Sequence, residues 1–278
     1  MMREPTNNSL EDLELSLLLE GVFHRYGYDF RNYSRASLTR RVQARVQAEE
    51  LSSISELQAR VLHDSAAFER FFVGLTVHVT AMFRDPGYYA AFRQKVVPWL
   101  RTLPFLRVWV AGCATGEELY SLAILLREEG LIERSRIYAT DLSEAVLTRA
   151  KAGVFPLALM QEYTANYQQA GGQGDFSAYY TANNDSAVLA SALKQNVLFA
   201  PHNLVSDGSF NEFHFISCRN VMIYFNHALQ ERVQRLLFES LAPQGFIAVG
   251  RNETMRFTPH ETAYDELDAK ERIYRKKS

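Results

Sequence analysis

The residues best suited to chemistry lie between Arg107 and Asp141. An apolar run, Val108 to Ala111, breaks at Gly112, and a helix resumes after Gly116 with the double acid Glu117-Glu118. A second apolar stretch, Arg136 to Ala139, is followed by Asp141. A strand, a glycine turn, a helix and a second strand ending in an acid form half of a nucleotide-binding α/β fold. In that fold the ligand lies across the strand C-termini and the acid takes ribose hydroxyls. Glycines at such a turn let the backbone pass close to a ligand. The spacing from Gly112 to Gly116 is G-x-x-x-G, not G-x-G-x-x-G. It suits a dinucleotide pyrophosphate poorly and S-adenosylmethionine, which has no phosphates, better. Structural readings stand beside these. Asp141 can cap the following helix, and Glu118 can be a first-turn acid favoured by the helix dipole.

Other chemistries lack their residues. There is no H-E-x-x-H, no G-x-S-x-G and no Cys/His cluster, so no metal site is expected. The two cysteines, Cys113 and Cys218, give no disulfide framework and suit a cytoplasmic protein. No apolar run approaches the ~20 residues of a membrane span. The acids Glu4, Glu11, Asp12 and Glu14 ahead of Leu17–Leu19 do not read as a signal peptide. A net charge of −2 gives no overall pull toward nucleic acid or anionic membrane. Against that background, Arg31 to Ala48 holds five arginines and no acid: Arg31, Arg35, Arg40, Arg41 and Arg45. Arg41 and Arg45 share a helical face. A solvated face is the default reading of such a run; a surface that steers an acidic partner is the other.

The elements that must position these residues fall into two halves. Residues 9 to about 103 show helical spacing. Ser9 caps a helix that ends at Gly27, with an apolar face of Leu10, Leu13, Leu17, Leu18 and Phe23. Helices follow from about Ser37 to Glu50, from Ser53 or Ser55, and around Phe68, Phe71, Phe72 and Leu75, and Pro86 opens another. From Leu106 strands and helices alternate. The strands are Val108–Ala111, Arg136–Thr140, Val197–Ala200, Phe213–Ser217 and Phe246–Val249; the helices are Glu118–Glu129, Ser143–Ala152 and Ala228–Leu241. That alternation predicts a parallel sheet covered by helices on both faces. Between Asp175 and Gln195, two short antiparallel strands around Asn183-Asn184-Asp185 predict a small β insertion.

Four segments together resemble the chemotaxis receptor methyltransferase (CheR) family: HVTAMFRDP (78–86), GCATGEELYSLA (112–123), YATDLS (138–143) and CRNVMIYF (218–225). The resemblance runs over nearly the whole chain. It implies a Rossmann-like class I methyltransferase sheet with an N-terminal all-helical domain and a small antiparallel β insertion. The corresponding boundaries are 1–85 for the helical domain, 86–103 for a linking helix and 104–278 for the methyltransferase domain, with the β subdomain at about 175–195. The implied activity is transfer of a methyl group from S-adenosylmethionine to receptor glutamates, leaving S-adenosylhomocysteine. Carried over residue by residue, the cofactor contacts are His78, Thr80, Arg84, Gly112, Glu118, Asp141, Asn203, Leu204, Asn220 and Val221. Arg84 and Tyr224 are the implied catalytic residues. Arg40, Arg41 and Arg45 on the basic helix are the implied contacts to the receptor's methylation helices. The chain departs from the family pattern at three points. His78 stands where Asn is usual, Leu119 where Pro is usual, and Arg251-Asn252-Glu253 where H-S-E is common.

Such a reaction needs little acid–base help, because a glutamate of pKa about 4.3 is already anionic at neutral pH. Alignment is the main requirement. Bland readings remain for the carried-over residues. Arg84 can pair with Asp85 on the surface, Tyr224 can be core, His78 a packed histidine, and Asn220 a turn residue. Two rival functions stand beside the first. One is a methyltransferase for nucleic acid or a small molecule, which lacks an N-P-P-Y or D-P-P-Y motif here. The other is a docking module that binds the cofactor without turnover. Some family members bind a peptide tether at the receptor C-terminus through the β insertion and carry a longer, glycine-bearing loop there. The short Ala182–Ser186 loop predicts that this chain needs no tether, and neither nucleic acid nor membrane insertion is expected.

Overall fold

Ser9 starts the first helix: its hydroxyl accepts from the Asp12 N–H (3.2 Å), and α1 (Leu10–Tyr26) stops at Gly27 in a left-handed conformation. The computed structural model describes residues 9–75, 80–256 and 258–278. It divides into two units, residues up to Val77 with Tyr224–Gln230, and His78–Ile223 with Glu231–Ser278. In the first unit α2 (Arg35–Ala48), α3 (Ile54–His63) and α4 (Ser65–Leu75) follow α1. The buried face of α1 is Leu15, Leu18, Leu19 and Val22. This corrects the sequence expectation, because Leu10, Leu13 and Leu17 are 73%, 51% and 50% exposed. Leucines occupy both sides of this helix, so its own periodicity cannot choose. Packing on α3, which buries Ile54, Leu57 and Val61, makes the choice.

In the second unit Pro86 opens α5 (Pro86–Lys95), and α6 (Val97–Leu100) follows. The chain then runs β1 (Leu106–Ala111), α7 (Glu117–Glu128), β2 (Ser135–Asp141), α8 (Glu144–Ala152), β3 (Val154–Pro156), α9 (Met160–Gln169), β4 (Tyr180–Asn183), β5 (Ser186–Leu189), β6 (Val197–Pro201), β7 (Phe213–Cys218), α10 (His227–Ser240), β8 (Leu241–Val249), β9 (Tyr264–Asp268) and β10 (Ile273–Lys276). The seven-stranded sheet has the order β6-β2-β1-β7-β8-β10-β9. Neighbours from β6 to β8 pair parallel, and β10 pairs antiparallel with both β8 and β9. Val108, Trp109, Val110 and Ala111 are all buried, as a central parallel strand covered on both sides requires.

The expected antiparallel insertion is a three-stranded sheet, β3-β5-β4. Its hairpin turns at Asn184-Asp185, with Asn184 at φ 48°. The third strand, β3, is three residues long and ends in proline, too short to give a periodic signal. α9 also went unassigned from sequence, although Met160, Tyr163 and Tyr167 recur at helical spacing and are buried.

Candidate active site

β1 lies between β2 and β7, so the chain leaves it in one direction through β2 and β6 and returns on the other side at β7. This is a topological switch point, where open α/β sheets bind ligands beyond their strand C-termini. Asp141 pairs in register with Pro201, Ala111 with Thr140, and Val110 with Ser217. The carboxyl ends of four adjacent strands therefore carry Asn203-Leu204, Asp141, Gly112 and Asn220-Val221 side by side.

Gly112 has φ +72°, and a Cβ there would lie 2.7 Å from Val221 Cγ2. Gly116 has φ +100°, and its Cβ would meet Tyr120 and Ala150 at 3.1 to 3.3 Å. The glycines thus admit the chain's own β7 loop and α8 as close neighbours. Asp141 fits its capping reading and also braces the glycine turn. Oδ1 accepts from the Ser143 N–H ahead of α8 (3.1 Å), and Oδ2 from the Ala114 N–H in the glycine turn (3.0 Å). A carboxylate has about four acceptor sites, so two remain for ribose hydroxyls. Asn203 shapes its own loop: its Oδ1 accepts from Val205 N–H and its N–H donates to Asp207, each at 2.9 Å. Leu204 is buried.

Glu118 is more than a first-turn acid. Its carboxylate accepts from Ser217 Oγ (2.5 Å) and from Arg219 (3.1 Å). The Arg219 side chain is 0% exposed, reaches Asp85 at 2.8 Å and lies 4.0 Å above the Tyr88 ring. Burial acts to lower the Arg219 pKa, but Glu118, Tyr88, Tyr89 and Asp85 together raise it. Asp85 also meets Arg251 at 3.4 Å, and Arg251 holds Glu271. Asp85 thus belongs to a partly buried network with Arg219, Arg251 and Glu271. Sequence reasoning missed Arg219 as a hub, although its signal was visible: an arginine directly after a strand with an apolar run beyond it.

Arg84 is exposed and sits between Phe83 (φ 52°) and Asp85 (φ 58°), two left-handed non-glycine residues. Backbone of this kind persists where its surroundings enforce it; the buried Phe83 donates its N–H to Ser121 Oγ at 2.8 Å. Thr80 is half-buried. His78 lies outside the described residues. Asn220 is itself left-handed, at φ 60°, in keeping with its turn reading.

Tyr224 belongs to the helical unit. It is half-buried rather than core, its carbonyl accepts from Ser34 N–H (2.7 Å), and Phe225 bridges to Tyr33. The Arg41 guanidinium stacks 4.6 Å from the Tyr224 ring centroid and donates to the Leu75 carbonyl. Burial lowers the Arg41 pKa, and Tyr224 opposes the shift. Arg45 pairs with Glu49, Arg35 with Asp12, and Arg31 with Asp29 and Glu20. Arg40 is exposed. Burial pushes both thiols, Cys113 and Cys218, well up, so neither is an activated nucleophile. Among the described residues no cluster of metal-binding side chains is present and no helix is long and apolar enough to cross a membrane.

A glycine turn and acids at adjacent strand ends, set at a switch point, suit a sulfonium nucleoside. This arrangement belongs to the Rossmann-like methyltransferases, and comparison with known proteins gives the family. Residues 78–272 match the SAM-binding domain of CheR methyltransferases and residues 13–76 match the CheR all-alpha domain. The chain belongs to the CheR methyltransferase family, and S-adenosylmethionine is its cofactor. It is 47% identical over 271 residues to "Putative methyltransferase Cher3" of Pseudomonas putida, covering 98% of this chain and 99% of that protein. It is 31% identical to "Chemotaxis protein methyltransferase 2" of Pseudomonas aeruginosa, covering 79% of each. It is 28% identical to the chemotaxis protein methyltransferase of Salmonella typhimurium, covering 88% of this chain and 85% of that one.

Proposed function

We propose that this enzyme forms methyl esters on glutamates of chemoreceptor methylation helices, in the cytoplasm. S-adenosylmethionine supplies an already activated methyl group. Gly112, Glu118, Asp141, Asn203, Leu204, Asn220 and Val221, with His78, Thr80 and Arg84, are the proposed cofactor contacts. The protein's own task is alignment and exclusion of water, and alignment can supply at most ~7–11 kcal/mol. Arg84 and Tyr224 are the proposed catalytic residues, and the Arg84 guanidinium can hold an incoming carboxylate bidentately.

The observation that carries this reading is the Arg41–Tyr224 stack. A guanidinium 4.6 Å from the ring makes this face cationic as well as aromatic, which suits an anionic side chain. It divides the work among the basic-helix residues. Arg41 supports Tyr224, Arg45 is already paired with Glu49, and Arg40 is left to meet the acidic receptor helix. The decisive experiment is transfer of tritiated methyl from cofactor to chemoreceptor-enriched membranes. Base-labile label in the receptors is expected. Label that survives base, or label in nucleic acid, would replace this reading, and binding without transfer would mark a docking module.

The same reading holds that no receptor tether is required. The β4–β5 turn is only Asn184-Asp185 and offers little surface to an added peptide. β4 is the edge strand beside this turn, so the receptor's last few residues are the segment to remove in the test. Methylation unchanged by removing the receptor's last few residues is expected; micromolar binding of the free C-terminal peptide would reverse the proposal.

A further inference from the structure

Glu253 follows β8, far in sequence from the segment that it holds. Its Oε1 accepts from the N–H groups of Val221 (2.9 Å) and Ile223 (3.2 Å), and its Oε2 from those of Asn220 (2.8 Å) and Gly250 (2.5 Å). The residue is 5% exposed. Four backbone donors match the roughly four acceptor sites of a carboxylate. Among the described residues no lysine or arginine forms an ion pair with it. Backbone dipoles alone therefore solvate a buried acid, an arrangement that stabilises only if all its members are present.

Three of the four donors belong to the loop after β7, which lies beyond the ladder hydrogen bonds of the sheet. Asn220, its second residue, is left-handed, and Val221 fills the space that Gly112 leaves open. The fit is close on the other side too, since a Cβ at Gly250 would lie 2.6 Å from Asn220 Nδ2 and 2.7 Å from Glu253 Oε2. Bulk alone would be met by an apolar side chain; the carboxylate adds a template for three loop amides.

We infer that Glu253 is a positioning residue for the cofactor: it fixes the Asn220–Ile223 backbone and thereby sets affinity for S-adenosylmethionine and its product. The inference rests on the proposed contacts of Asn220 and Val221. The test uses the full chain and S-adenosylhomocysteine as probe, with calorimetry and amide hydrogen exchange as readouts. Glu253→Gln keeps the volume but turns an amide donor toward the loop N–H groups. It should speed exchange at the amides of Asn220, Val221 and Ile223 and weaken binding by about tenfold or more, as loss of charged hydrogen bonds implies. Leu237→Ala, at a buried α10 residue that makes none of these hydrogen bonds, serves as the control for general destabilisation and should leave affinity unchanged. Equal loss of affinity in both variants would overturn the inference. Wild-type affinity in Glu253→Gln, with Asn220→Ala weakened, would overturn it while keeping the proposed site. Wild-type affinity in Asn220→Ala would remove the site assignment and the inference with it. Should Glu253→Gln fail to fold, Glu253→Asp takes its place with the same expected results, because it keeps the charge but retracts it from the donors.

Discussion

Arg219 and the arginines of α2 carry the same guanidinium into different surroundings. Arg219 is fully buried, and the fold supplies its partners from far along the chain: Glu118 from the first turn of α7 and Asp85 from the turn before α5. Arg35 instead finds an exposed acid, Asp12 on α1, while Arg45 pairs with Glu49 at the end of its own helix, whose side chain is only 7% exposed. In the first case charge is part of the framework behind the strand ends. At Arg35 it is a surface property that water and salt can replace. A count of arginines cannot tell these apart; the depth and origin of the acids can.

The sharpest way to break the comparison is Arg219→Met. Removing one member of a buried ion network leaves the others uncompensated, at about 3–5 kcal/mol. Urea denaturation should show a loss of this order, and a change below about 1 kcal/mol would mean that Arg219 is no more committed than a surface arginine. Asp141→Ala should come next. It strips acceptors from Ala114 and Ser143 and removes the proposed ribose contact, weakening S-adenosylhomocysteine binding by about 1–3 kcal/mol in calorimetry. Unchanged affinity would sink the ribose assignment.

Within α2 itself, Arg41 and Arg40 should separate. Arg41→Ala should lower kcat alongside Tyr224→Phe, whereas Arg40→Glu should raise KM for receptor and spare cofactor affinity. Added salt should reduce the wild-type rate, since exposed charges are screened over about 8–10 Å at moderate ionic strength. If both arginines act only on KM, the stack on Tyr224 has no catalytic meaning.

A smaller, pH-dependent effect belongs to His214, whose Nδ1 accepts from the Arg107 N–H at the start of the sheet (2.9 Å). Burial first, and Arg107 second, lower its pKa below the ordinary value of about 6.5. A group with a lowered basic pKa binds fewer protons folded than unfolded, so its contribution is complete above the unfolded value and is lost as pH falls through the folded one. Denaturation midpoints should therefore fall more steeply below pH ~6.5 in the wild type than in His214→Gln. Smallest of all is Arg35→Ala, an exposed pair, expected to cost under about 1 kcal/mol in the same assay.

The strand, turn and acid around Gly112 and Asp141 were legible because each leaves a local mark: an apolar run, a glycine, a carboxylate at the strand end. The CRNVMIYF segment was legible by resemblance. What escaped depends on distant partners. Nothing near Glu253 in sequence announces four N–H groups, three of which lie some thirty residues earlier. The retained acid of the Arg251-Asn252-Glu253 departure was the only hint. The buried face of α1 escaped for the opposite reason, because too many leucines satisfied the pattern at once. β9 and β10 escaped because YDELD and IYRK are short and largely polar, and only their pairing makes them strands.

Tyr224–Gln230 is encoded between β7 and the body of α10, yet it clusters with the four N-terminal helices, paired to residues 32–34 through Ser34, Tyr33 and Asn32. For anyone recombining genes of this type, the helical domain is thus not a removable prefix. A chimera that exchanges residues 9–75 alone would strand seven residues of the recipient against a foreign surface, Tyr224 among them. The exchangeable module is discontinuous, and a recombination map drawn from the linear sequence would cut through it.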